Sequence, residues 1–330
     1  MVREEQSIAA PGQAKASVAD AIRAALVNQT TLLVLLVLGT AISFLIPEFL
    51  TLNNLLNVLR QVSITGIVAV GMTFVIITAG IDISVGSTVA LGGVVAVACL
   101  TAGFGVALSI LAALLIGLAV GAINGGIIAF ARVSPFVTTL GSMYIIRGMT
   151  LVITKGQAFW GLPPEFARIG TGYLLGVPIP VIIMLTIYLA GVVLLRFFVF
   201  GRHVLAVGGD EEAARLCGIP VKGVKMMTYA LCGMLSAAAG VILAGRLGSA
   251  QPSVGDGYEL IAIAATVIGG TSLTGGKGTI MGTLLGAVIL GIVGNALNLW
   301  GVASFYQTVI IGSIVLAAVL SDRLRKRGRD

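Results

Sequence analysis

Charge is what this chain has least of: Asp, Glu, Lys and Arg make up 10% of its 330 residues, against about 25% in soluble domains. That is too little to cover a water-facing surface, which excludes an ordinary soluble globule. Histidine is almost missing. The single His203 stands beside Arg202, which argues against a histidine-based metal centre. The three cysteines, Cys99, Cys217 and Cys232, are scattered with neither zinc spacing nor a disulfide framework. No His, Glu, Asp or Cys cluster suits catalysis, so the chain is expected to be neither an enzyme nor a holder of metal or cofactor. The 45 glycines follow no Gly-X-Y period, which excludes a fibrous protein. The opening residues lack the short apolar core and small-residue cleavage site of a secretory signal, so the first span is expected to be retained.

Apolar length is what the chain has in excess. Hydrophobic residues are 58% of it and the mean hydropathy is +1.09. The apolar runs are about 17–25 residues long, each enough to cross ~30 Å of hydrocarbon. The expected fold is therefore an all-α polytopic membrane protein of about ten helices, some of them interrupted. Their expected ranges are 27–46, 61–80, 84–102, 105–130, 136–154, 178–200, 226–246, 259–273, 279–298 and 304–320. They form one transmembrane domain, 27–320, between a cytoplasmic segment 1–26 and a basic cytoplasmic tail 321–330. Residues 48–60 set leucines at helical spacing opposite Asn and Arg, and are expected as an interfacial helix rather than a span.

Ten spans return both termini to one side. If that side is the cytoplasm, only Arg60, Arg147, Lys155, Arg168 and Arg246 of the 20 basic residues fall on the other. This bias fits the positive-inside rule and predicts an N-in, C-in chain. The net charge of +7 then reflects topology, since the basic residues lie in short loops and the tail. Nucleic acid is not an expected partner.

One charged loop, 201–225, interrupts this lipid-compatible chain and would be cytoplasmic. In it Asp210 can cap a short helix whose first turn holds Glu211 and Glu212, well placed against the helix dipole. Ala213, Ala214 and Arg215 are good helix formers, Gly218 supplies a left-handed stop, and Pro220 prevents continuation. A helix of about two turns is unstable alone in water and must pack on its own protein or on a partner.

Two glycine-rich stretches break otherwise good spans, 80–87 and 269–278. Non-helical backbone at membrane depth is tolerated only in protein or against water, and paired interruptions can point to a transport path. The bland reading is a pair of turns between hairpin helices. Asp82, Ser84, Gly86, Thr271 and Ser272 are the candidate pathway or gate residues here, joined by Asn124 and Asn295 from neighbouring spans. For Asp82, helix capping and gate structure are expected over proton carriage. Asn124 and Asn295 could bond between helices or meet substrate hydroxyls, and Arg147 could snorkel outward or pair with an acid. GGTSLTGGKGT is not a phosphate-binding loop: Thr271 stands where the first Gly belongs, and Gly278 replaces the Ser or Thr that would hold magnesium.

Glu212-Ala213-Ala214 followed by Gly218 resembles the loop by which ABC-importer permeases seat in a cleft of their cytoplasmic ATPase. AVGMTFVIITAGIDISVGS (69–87), RVSPFVTTLGSMYIIRG (132–148), GRHVLAVGGDEEAARLCGI (201–219) and SAQPSVGDGYELIAIAATVIGGTSLTGGKGTIMGTLLGA (249–287) extend the likeness. Over about 30–320 the chain resembles the membrane subunits of ribose-type sugar ABC importers, a permease family that also has amino-acid members. The resemblance implies a type II ABC-importer-like fold in the bacterial inner membrane. It also implies a second permease copy in a homodimer, a cytoplasmic ATPase that binds ATP and magnesium, and a periplasmic sugar-binding protein, with lipid around the assembly. The binding protein would meet the outer loops 155–177 and 247–258. Asp210, Glu211, Glu212, Ala213, Ala214, Arg215 and Gly218 would be the coupling residues, and the cargo a monosaccharide, ribose or a related pentose. The alternative is an ion-coupled secondary transporter of a small polar solute, for which Asp82 is thin support.

Overall fold

The computed structural model describes residues 18–327, with side chains from 31 to 320. Most of the expected 1–26 segment and of the 321–330 tail therefore lies outside the described residues or their side chains. Helix α1 (Val18–Leu45) leads through a short 3-10 turn (Pro47–Leu50) into α2 (Leu52–Ile77), α3 (Val85–Thr101), α4 (Val106–Phe130) and α5 (Pro135–Thr154). The strand β1 (Phe159–Trp160), helix α6 (Pro164–Thr171) and strands β2 (Tyr173–Leu174) and β3 (Val177–Pro178) precede α7 (Ile179–Arg196). Then come α8 (Val199–Gly209), α9 (Glu211–Leu216), α10 (Val221–Leu247), β4 (Ser249–Ala250), α11 (Tyr258–Ile268), α12 (Ile280–Leu299) and α13 (Ser304–Arg327). A helix stands at each of the ten expected positions. Among the described residues, six helices are long and apolar enough to span a membrane by length and composition: α2, α4, α5, α7, α10 and α12.

Burial follows composition. From Val62 to Ile77 helix α2 is apolar on nearly every face and lies at the centre, buried almost continuously. Helix α10 packs along α2, α3 and α4, and small residues set the spacing: a Cβ on Gly71 would lie 2.7 Å from the Cys232 Cα, and one on Gly125 2.7 Å from the Met226 Cα. In lipid, where apolar surface gains little by leaving the solvent, such backbone-to-backbone approach supplies the packing energy. Large apolar side chains on α1, α4, α5, α7 and α13 point outward.

Contacts sort the connections onto two ends. At one end β1 pairs antiparallel with β4, Arg60 donates to the Tyr173 hydroxyl and stacks on its ring, and Asn54 and Asn295 exchange hydrogen bonds of 2.9 and 2.8 Å. At the other, Gly276 N–H donates to the Ile77 carbonyl at 2.9 Å, the Tyr229 hydroxyl reaches the Ile81 carbonyl, and Lys222 sits over the Phe130 ring.

Three expectations need correction. Residues 48–60 are not a separate interfacial helix: α2 runs unbroken from Leu52, because no Gly or Pro lies between Leu52 and Thr65 and Asn54 has a buried partner in Asn295. The charged loop is mostly helical, since α8 and the first turn of α10 fall within 201–225. The eighth span stops at Ile268 rather than 273, where Gly269 and Gly270 (φ 90°) end it. At 11 residues, α11 reaches only ~16 Å, about half of the hydrocarbon core.

Candidate functional site

Helix α9 forms because its local signals agree. The Asp210 side chain accepts from the N–H groups of Glu212 (3.0 Å) and Ala213 (2.9 Å), capping the helix as expected. Gly218 takes φ 80° and donates its N–H to the Arg215 carbonyl, the left-handed stop. Arg215 donates twice to Glu212, one turn away. That hydrogen bond is the main reason the Glu212 carboxyl is held below its usual range. Lys225 on α10 reaches Glu211. Only Ala214 of α9 is buried, so the helix rests on the protein by one small side chain. Glu211, Glu212, Ala213, Arg215 and Leu216, the last 76% exposed, face outward.

The expected helix is thus a clamped, exposed knob, and α8 connects it to the interior. Gly208 lies so close to the Ile77 carbonyl and the Gly276 N–H that a Cβ would overlap both. A Cβ on Gly275 would in turn sit 2.7 Å from the Gly208 carbonyl and 3.0 Å from Ala79. Ala79 itself is held at φ 58°, a conformation that costs a non-glycine residue ~1–2 kcal/mol. The second interruption therefore meets the end of α2, just before the first interruption, at the root of the α9 knob. Gly208 was not among the sequence-derived site residues. The one hint of α8 is the spacing of its buried Val204 and Val207, a period too short to separate from a loop.

The remaining candidates divide into groups. Asp82 Oδ1 accepts from the Ser84 N–H (2.9 Å) and hydroxyl (2.6 Å), and Asn124 donates to the same hydroxyl at 3.0 Å. This buried chain ties the first interruption to α4; Ser84, not Asp82, is the N-cap of α3, and Asp82 instead closes a turn two residues before it. Gly86, on the first turn of α3, abuts the Gly255 carbonyl and the Glu259 carboxylate. Thr271 is buried beside Gly278 with its hydroxyl unpaired, and Ser272 lies within hydrogen-bond distance of Thr274. Asn295 is separate from all of these: it pairs with Asn54 at the opposite end, so the structure gives it the interhelical partner. Arg147 donates to the carbonyls of Pro252 and Val254 and pairs with Asp256, a loop partner that sequence distance concealed.

Residues 54–319 match the family described as branched-chain amino acid transport system / permease component. The chain is 48% identical over 308 residues to the ribose import permease protein of Escherichia coli, covering 92% of this chain and 96% of that protein. It is 49% identical over 291 residues to the ribose import permease protein of Bacillus subtilis, covering 88% and 90%. To the L-arabinose ABC transporter permease protein of Azospirillum brasilense it is 41% identical over 305 residues, covering 92% and 90%. No solved structure matches.

Proposed function

Because the chain belongs to the branched-chain amino acid transport system permease family, we propose that it is the membrane subunit of an ATP-driven importer of ribose. The observation that carries the cargo is the identity gradient. Ribose permeases match at 46–49%, while an arabinose and an allose permease match at 41% and 38% over similar lengths.

In this reading the α9 end faces the cytoplasm, with both termini on that side, and the β1–β4 end faces the periplasm across the bacterial inner membrane. Described basic side chains support it: Arg132, Arg196, Arg202, Arg215, Lys222, Lys225 and Lys277 belong to the α9 end. A separate ATPase, which binds ATP and magnesium, grips α9 through Glu211, Glu212, Arg215 and the exposed Leu216. A second permease copy completes the pathway and a periplasmic sugar-binding protein delivers cargo to the outer loops. Motion of α9 is passed to α8, whose Gly208 bears on Ile77 and Gly276, so one push reaches the second interruption and the end of α2 that leads into the first. A ligand binding both gate states equally could not drive this cycle, so work enters from the ATPase. The chain holds no ATP chemistry of its own.

The test is radiolabelled ribose uptake by liposomes carrying the full chain, its ATPase and its binding protein. Accumulation should require ATP and survive collapse of ion gradients. Uptake that persists without the ATPase and disappears with the ion gradient would instead identify an ion-coupled transporter.

A further inference from the structure

A cleft of ≈ 230 Å³ opens beside α5 at the β1–β4 end, lined by Ser87, Tyr144, Arg147, Asp256 and Glu259 among others. Its wall is built rather than accidental. Arg147 is fixed by the Pro252 and Val254 carbonyls and by Asp256, and the Glu259 carboxylate lies against Gly86 at the start of α3. At its base the Ser87 hydroxyl, in a residue only 1% exposed, has no hydrogen-bond partner. Buried hydroxyls are nearly always paired, so one left open beside a mostly apolar cleft that also presents charged groups marks a place for a ligand group.

The chemistry of the lining narrows that ligand. Two carboxylates accept hydroxyl protons, a guanidinium and a serine donate to hydroxyl oxygens, and a tyrosine ring offers a face to C–H groups. The volume is below the ~300 Å³ at which drug-sized sites begin, which suits a single small polyol ring. Resting on the ribose-import reading above, we infer that this cleft is a monosaccharide station on the periplasmic half of the pathway, with Ser87 and Glu259 contacting sugar hydroxyls directly. Arg147 positions the 252–256 loop that forms its rim. Neither Ser87 nor Glu259 touches the α9 machinery, so coupling and cargo contact are separable.

Two measurements test it in the assembled transporter. Glu259→Gln and Ser87→Val should lower ribose uptake about tenfold or more, the scale of losing a hydrogen bond to a charged or buried group. ATP hydrolysis stimulated by the binding protein should stay within twofold of the unaltered chain. Uptake unchanged in both variants overturns the inference. Should either variant fail to reach the membrane, Ser253→Cys on the exposed rim, in a chain with Cys99, Cys217 and Cys232 replaced by Ala, decides the matter. Excess ribose should slow its reaction with a water-soluble maleimide about threefold or more relative to equal sucrose, and equal rates overturn the assignment. Failure of the unaltered chain to take up ribose would count against the functional reading itself; transport by the unaltered chain and both variants alike counts only against the cleft.

Discussion

Gly208 shows how much one hydrogen atom in place of a side chain can decide. A Cβ on it would overlap rigid backbone at both Ile77 and Gly276, while its neighbour Gly209 has open space where a Cβ would be. Gly208→Val should therefore cost about 3 kcal/mol, the upper part of the usual overpacking range, and Gly209→Ala less than ~0.5. Thermal denaturation of the two variants in detergent checks the contrast, and equal melting would remove the proposed junction. Asn54 and Asn295 give a second test. Interhelical hydrogen bonds in membranes are worth ~0.6–1.7 kcal/mol, so a double-mutant cycle with Ala at both should return a coupling of about 1 kcal/mol. Neither pairing could be read in advance. Asn295 was visible as a polar residue in an apolar run, but its partner lies 241 positions away, and Gly208 is one of 45 glycines.

At the scale of elements, what was legible depended on whether the cause is local. The ten helices were legible because apolar length is a local property, and α9 because Asp210 and Gly218 carry its start and stop within nine residues. Helix α8, the early start of α2 and the short α11 were not, since tertiary contacts and glycine pairs set them. Two variants probe α9. Asp210→Ala removes acceptors for two amides and should loosen the helix by ~1 kcal/mol, seen as faster hydrogen exchange at Glu212 and Ala213; unchanged exchange would show the cap to be idle. Exchanging the pair, Glu212→Arg with Arg215→Glu, keeps an oppositely charged couple at the same spacing. An exposed ion pair of this kind contributes little to folding, so the protein should melt as before. Its surface pattern is nevertheless reversed, and co-purification with the ATPase should be lost. Retained co-purification would mean that the partner does not read these charges.

For the molecule as a whole, the account makes this chain a passive gate driven from the side on which α9 projects. Nature has supplied a probe for that side: Cys217, at the C-terminal cap of α9, is exposed, whereas Cys232 is buried and Cys99 half-buried at the far end of α3. The decisive measurement is labelling of Cys217 in a Cys99→Ala chain with a membrane-impermeant maleimide, comparing right-side-out with inside-out vesicles. The account predicts reaction only in inside-out vesicles, slowed when the ATPase is assembled. Labelling from the periplasmic surface, or an ATPase that leaves the rate untouched, would contradict it.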